Sequence, residues 1–404
     1  MRLAYFSPVN PIKSGISDYS EVLLRAMAPH CAVDLFVDGY LPSDPWITEH
    51  LEVVDCRRFD VRALLPAYDA VLYQMGGTPG HHKYMYDLLI EHPGVVTLHD
   101  LMYLGFFGDL WLKGGRADLF IAEMKHSYGA AGEEVARSVA AGRHVPLETM
   151  KKFPMNKRMI DSASGIVVHS RSALRQVTDV RPQVRCRFIP HHDFGWSAWP
   201  QQGYDPAAAN LSAKKRLAVA PGTPVLACFG FIAATKRPET VLRAYARLRQ
   251  DIPESRLIFV GEEKYRIADY LRFLELDGHV SITGYTTPEE FRTYLEAADV
   301  CINLRYPSQG ETSGAVMRML ALGKPVIVTN HEWFAELPDS ACAKVDADRY
   351  EEDLLYGFCK ALLKDPDYRR AMGRNAHEYV QGHCGLEVVA RHYLDFLAEC
   401  AAGG

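Results

Sequence analysis

Residues 225–250 read VLACFGFIAATKRPETVLRAYARLRQ. The first five are apolar without interruption, a run short enough for a buried strand. Gly230 ends it, and a loop carries the chain to Lys236-Arg237-Pro238. Beyond the proline, 239–250 places Val241, Leu242, Tyr245 and Leu248 on one face of a helix. Strand, short loop and amphipathic helix form the repeating unit of a parallel sheet.

The same alternation runs outward in both directions. Apolar runs at 257–260, 280–283, 300–304 and 326–329 predict further strands on this side of the chain. Runs at 3–6, 33–37, 70–73, 95–98, 165–169 and 187–189 predict a second set before it. Between the sets, 193–224 carries Gly195, Pro200, Gly203, Pro206, Pro221, Gly222 and Pro224, with one helix inside it. Such enrichment marks a domain boundary. A chain of 404 residues also exceeds what one core usually serves. The expectation is an α/β protein of two doubly wound, Rossmann-like domains, 1–195 and 196–384. The amphipathic stretch 386–400, within a segment of about 385–404, crosses back onto the first. Ligands of such sheets bind beyond the strand C-termini, which directs attention to a deep cleft between the domains.

Composition excludes several classes. Hydrophobic content of 48%, charged content of 24% and a net charge of −5 describe an ordinary globular protein and give no reason to expect nucleic acid. Nine cysteines are scattered without a CxxC, as reduced thiols in a cytosolic protein are. The N-terminus MRLAYFSPVNP has no apolar signal core, and no apolar run reaches the ~18 residues of a membrane span. His81-His82 and His191-His192 lack the helical spacing of a metal pair, so no metal is expected. Residues 113–187 do hold fourteen Lys and Arg against seven Asp and Glu, just after the aromatic-rich LMYLGFFGDLWL. This predicts either a peripheral contact with anionic membrane or a solvated basic face.

Lys236-Arg237 stands before a proline suited to the first turn of a helix. Free N–H groups and the helix dipole attract anions there, and two cations reinforce them, an arrangement that suits a diphosphate. A solvated basic pair is the plainer alternative. Neither a Walker loop nor GxGxxG is present at this position, so an NTPase or NAD reading has no motif behind it.

Residues 303–338, NLRYPSQGETSGAVMRMLALGKPVIVTNHEWFAELP, resemble the donor-site signature of glycosyltransferase family 4, a group of retaining GT-B enzymes. FGFIAATKRPETVLRAY resembles that family's diphosphate-binding segment, and LIFVGEE and HVSITGYTTPEEFRTYLEAADVCIN its following βα units. SPVNPIKSGISDYSEVLLRAM is similar to the family's glycine-containing loop after the first strand, and VVTLHD to the strand that ends in its active-site His. The resemblance implies a hexose donor activated by a nucleoside diphosphate, GDP-mannose or a UDP-sugar, and a glycan or lipid-linked acceptor in cell-surface polysaccharide or O-antigen assembly. No cofactor is implied.

Donor-binding residues implied in this way are Gly15, Gly230, Lys236, Arg237, Gly261, Tyr285, Glu311, Thr312, Ser313, Gly314 and Arg318. His99, Asp100, Lys236 and Glu311 are the implied catalytic set. Lys236, helped by Arg237, would neutralise charge developing on the leaving diphosphate, and the Gly15 loop would bring backbone N–H groups to it. Glu311 would accept from sugar hydroxyls while Thr312, Ser313 and Gly314 donate backbone N–H groups. Otherwise Glu311 is an ordinary first-turn acid. His99 would sit near the donor sugar and Asp100 on the acceptor side as base or orienter, unless the two are simply a loop hydrogen-bond pair. All would converge on one pyrophosphate-linked hexose.

Two departures stand out. The family's second Glu has no counterpart: counting back from Gly323 reaches Arg318, and counting forward from Glu311 reaches Met319. Phe231 stands where the family places an Arg after the glycine. A sugar-nucleotide epimerase on the same fold and a non-catalytic sugar-nucleotide-binding partner are the alternatives.

Overall fold

In the computed structural model, which describes residues 1–198 and 205–403, the apolar runs become strands of two separate parallel sheets. Pro200 and Gly203 of the expected linker lie outside the described residues. One unit gathers Met1–Pro190, Gln309–Thr312 and Leu386–Gly404; the other gathers His191–Ser308 and Ser313–Gly385.

The first unit holds β1 (Arg2–Phe6), β2 (Ala32–Val37), β3 (Glu52–Asp55), β4 (Ala70–Met75), β5 (Val95–Leu98), β6 (Gly165–Val168) and β7 (Cys186–Phe188). Their order is β3-β2-β1-β4-β5-β6-β7, every pair parallel. Sheets covered on both faces are built from continuous apolar strands, and β5 and β6 are buried at every position. Phe6, Phe36, Tyr73, Leu98 and Val168 pack with Met85 and Leu89 of the helix Pro79–Glu91. The helix Leu386–Ala402 belongs to this unit, where the Tyr393 hydroxyl lies 3.0 Å from that of Tyr19 and 3.1 Å from Thr97 Oγ1.

The second unit holds β8 (Val225–Phe229), β9 (Arg256–Val260), β10 (Val280–Ile282), β11 (Val300–Asn303), β12 (Val326–Thr329) and β13 (Ala343–Val345), in the order β10-β9-β8-β11-β12-β13. The helix Pro238–Asp251 buries Val241, Leu242, Tyr245 and Leu248, at about 1.5–3 kcal/mol for each such side chain. Leu355, Cys359 and Leu362 of the helix Glu351–Lys364 join the same core. The linker helix is Pro206–Arg216, capped by Asp205.

Two strands, β3 and β13, were not foreseen. Both are edge strands, four and three residues long, and edge strands carry polar residues that blur the apolar signal. In the aromatic run at 101–112, Tyr103, Phe106 and Phe107 lie in the core of the first unit, and Leu110, Trp111 and Leu112 are partly buried against it. Several basic residues that follow are paired, Arg158 with Glu123 at 2.7 Å and Arg187 with Glu399 at 2.5 Å among them. Among the described residues no helix is long and apolar enough to cross a membrane.

In each sheet the chain changes winding direction once, between β1 and β4 and between β8 and β11. Loops leaving the C-terminal ends of adjacent strands part at such points and leave a crevice where ligands bind.

Candidate active site

At the second switch point, β8 delivers Gly230 with φ 86°, a conformation that suits glycine. Space is as limiting as conformation. A Cβ at Gly230 would stand 2.4 Å from Lys236 Nζ, and one at Gly261 would stand 2.3 Å from the Gly230 carbonyl oxygen. The two glycines thus let the ends of β8 and β9 close on each other around the lysine. Lys236 ends the 3-10 turn Ala234–Lys236 and donates to the Phe229 carbonyl at 2.9 Å. Tyr306 N–H donates to the Thr235 carbonyl at 2.7 Å, tying the loop after β11 to the loop after β8. A small cavity runs beneath, lined by Phe229, Lys236, Pro238, Asn303 and Leu304, and the buried Asn303 Oδ1 has no hydrogen-bond partner there.

Arg237, expected to help Lys236, has a carboxylate partner within its own unit. Its backbone is left-handed (φ 56°, ψ 41°), and its guanidinium reaches Glu351, 2.6 Å at Nη2 and 3.0 Å at Nε. Thr240 Oγ1 donates to the same carboxylate at 3.0 Å. Arg237 therefore braces the helix Pro238–Asp251 against the helix Glu351–Lys364, whereas Lys236 stands at the strand end.

Ser313 caps the helix Gly314–Ala321, accepting from Val316 N–H at 3.3 Å. From the last turn of that helix Arg318 folds back, its guanidinium carbon 3.6 Å above the Phe194 ring and near Trp196 and Phe291. The platform is built by Asp193, whose carboxylate accepts from Gly195 N–H and Ser197 N–H and turns the chain so that Phe194 sits at φ 61°. Where the resemblance would place a carboxylate there is an aromatic-clad cation. Tyr285 and Phe231 are both exposed, and the Lys264 ammonium sits 5.5 Å over the Phe231 ring.

In the first unit, His99 and Asp100 follow β5. Asp100 Oδ2 accepts from Gly77 N–H at 2.7 Å, linking the loops after β4 and β5. His99 Nε2 lies 2.8 Å from Gln74 Oε1. Tyr19 stands edge-on to the His99 ring at 4.8 Å between centroids, and His169 lies at 5.2 Å. Burial lowers the pKa of His169 to about 4, so that ring stays neutral, with Nδ1 2.8 Å from the Ile189 carbonyl. Glu311 belongs to this unit too. Leu101 N–H donates to the Gln309 carbonyl at 2.9 Å, and Gln309 N–H donates to Glu311 Oε2 at 2.5 Å. The segment from Gln309 to Thr312 therefore lies beside the loop that carries His99 and Asp100. Gly15 opens the helix Gly15–Met27 after the Ser14 cap, and a Cβ there would meet nothing within 4 Å.

Gln74, His169, Tyr19 and Glu351 are neighbours of these residues that the sequence reading passed over. Gln74 left a trace, as the one amide in the apolar run of β4. The others are ordinary residues until the fold brings them in.

Sucrose-phosphate synthase from Thermosynechococcus elongatus superposes on this chain with TM-score 0.71, covering 100% of both chains at 19% identity. HepE from Anabaena, in complex with UDP and glucose, does so with TM-score 0.65 over 99% of this chain and 100% of its own, at 14% identity. Two parallel α/β domains with these switch points define a protein of the GT-B class. Residues 211–379 match the family described as Glycosyl transferases group 1. A D-inositol 3-phosphate glycosyltransferase from Kineococcus radiotolerans is 24% identical over 322 residues, 72% of this chain and 71% of its own. Over residues 211–379 the chain thus carries a glycosyltransferase group 1 domain, and it is a glycosyltransferase enzyme.

Proposed function

We propose that the enzyme moves a hexose from a nucleotide-diphosphate donor to a hydroxyl acceptor, a glycan or lipid-linked sugar, with retention at the anomeric carbon. The observation that carries this reading is the closing of Gly230 and Gly261 around Lys236 at the β8/β11 switch point. Leaving of a nucleoside diphosphate builds negative charge on its β-phosphate, and a preorganised ammonium there is commonly worth about 3–4 kcal/mol of barrier. Ser313 and Gly314 start a helix on the same side of the sheet, where backbone N–H groups favour anions.

In the first unit, Glu311 accepts from sugar hydroxyls, and His99 contacts the sugar. Asp100, held by Gly77 N–H, orients the acceptor side. Retention needs no carboxylate nucleophile if the departing phosphate itself takes the acceptor proton. UDP-glucose is the first donor to try, because the Anabaena neighbour binds UDP and glucose; GDP-mannose is the second. The position filled by Arg318 favours a ribose held otherwise than by a carboxylate.

The test is thermal unfolding against a panel of UDP- and GDP-sugars, followed by transfer assays with the donor that binds. Selective binding at 100 times Kd should stabilise the fold by about 2.7 kcal/mol. A panel in which no nucleotide sugar shifts the midpoint, and in which free UDP and GDP do no better, removes the reading.

A further inference from the structure

Gln74 is wholly buried in β4, and a buried amide must direct its two donors and its acceptor to complementary partners. Its Nε2 lies 2.9 Å from the Tyr5 hydroxyl oxygen and donates to it. The Tyr393 hydroxyl lies within hydrogen-bond reach of the same amide. Both phenols are kept neutral by burial. Tyr5 in turn donates to Ser20 Oγ at 3.1 Å. The chain of bonds has a fixed end, because Ser7 donates to the Pro8 carbonyl at 2.8 Å, and a carbonyl can only accept. Ser7 Oγ also lies 2.7 Å from Ser20 Oγ, whose oxygen has two lone pairs. The Ser20 oxygen is then open to Tyr5, and the Tyr5 oxygen to Gln74. The amide nitrogen is thereby turned toward the phenols, and Oε1 toward His99 Nε2 at 2.8 Å. An amide oxygen has no proton to give, so that ring nitrogen must carry one.

We infer that Gln74 is a positioning residue that locks His99 as the Nε2–H tautomer, so that Nδ1 is the ring's hydrogen-bond acceptor toward a sugar hydroxyl. The inference rests on the reading of His99 as a residue that contacts sugar. Which nitrogen is protonated is set by the partner of the other one, and in a neutral imidazole the second nitrogen accepts. Tyr19 and His169 pack on the ring, and Asp100 follows it in sequence. His169 is neutral.

The experiment uses the full chain labelled with 15N-histidine, with His99→Asn to assign the His99 signals. In the unsubstituted protein, Nε2 should show a protonated, pyrrole-type shift and Nδ1 a pyridine-type shift. Gln74→Met removes the acceptor and should raise the Nδ1–H population severalfold. Turnover with the donor found by the binding panel should fall about tenfold, with KM changed less. Gln74→Glu keeps an oxygen facing the ring and should restore the Nε2–H signature. A folded Gln74→Met protein with His99 still wholly Nε2–H overturns the proposal; so does a Gln74→Glu protein in the Nδ1–H form, which decides the matter if the methionine variant does not fold. A changed tautomer with unchanged turnover would refute the placement of His99 against sugar while leaving the lock itself established.

Discussion

The guanidinium of Arg237 and the carboxylate of Glu351 meet through two nitrogens, at 2.6 and 3.0 Å, and the carboxylate is almost wholly buried. The hydrogen bond to Glu351 raises the Arg237 pKa, so the guanidinium stays charged. Arg237→Ala leaves a buried carboxylate with only Thr240 as a side-chain donor among these partners. Removing one partner of a buried pair costs about 3–5 kcal/mol, and the lower end applies because the guanidinium is about one third exposed. Urea denaturation should show that loss, with donor KM in the surviving folded fraction little changed. A large KM effect without loss of stability would return Arg237 to the phosphate site.

Lys236 should behave in the opposite way. Lys236→Ala is expected to lower kcat by roughly 10²–10³, far more than the loss of its hydrogen bond to the Phe229 carbonyl, about 1 kcal/mol, lowers stability. Gly261→Ala meets backbone, the Gly230 carbonyl at 2.3 Å, whereas Gly230→Ala meets the movable tip of Lys236 at 2.4 Å. Both strain a backbone that suits glycine, so the first should be the more destabilising by denaturant titration, and the second should in addition lower turnover. Equal losses of stability in the two variants would contradict the geometry.

How much of this was legible beforehand follows from what local sequence encodes. The central strands announce themselves because burial on both faces demands continuous apolar runs, as at 225–229 and 95–98. Lys236 could be singled out from sequence because a cation beside a proline-opened helix has meaning within a few residues. Arg237 sits in the same place by sequence, but its partner Glu351 is 114 positions away and only folding brings it there. Glu311 was readable as the acid opening a turn. That its segment packs with the first unit depends on a backbone bond from Leu101, which no local pattern reveals. Arg318 shows a further limit: the count along the helix located the substitution, and the Phe194 ring that supports it came only with the fold.

Glu311 offers a separable test of sugar handling. Its Oε2 accepts the Gln309 N–H, and the Gln309 carbonyl is held by Leu101 N–H. Glu311→Gln keeps an acceptor for that turn but loses charge, whereas Glu311→Ala loses both. If the carboxylate grips sugar hydroxyls, Glu311→Ala should reduce kcat/KM about a hundredfold and narrow the difference between epimeric donors, at a cost of roughly 2.7 kcal/mol in the transition state. Glu311→Gln should fall between. Full activity and undiminished discrimination in the alanine variant would leave Glu311 as no more than a turn acid.

Two buried histidines should make stability depend on pH. Burial lowers the pKa of both His82 and His169 to about 4, against about 6.5 for an unfolded histidine. Between those values the unfolded chain binds more protons than the folded one, so stability rises with pH across the window and falls as pH drops from about 6.5 toward 4. Below about 4 both states are protonated and these groups add no further slope. Shifts of this size correspond to on the order of 3 kcal/mol each. His169→Asn keeps a donor toward the Ile189 carbonyl, and His82→Asn one toward that of Thr78, while neither variant titrates. Denaturation at pH 7 and pH 5 should therefore show a smaller difference in each variant than in the unsubstituted protein, and the smallest in the double variant. The same difference in all four proteins would mean that the acid sensitivity arises elsewhere, in carboxylates whose pairing is lost on protonation.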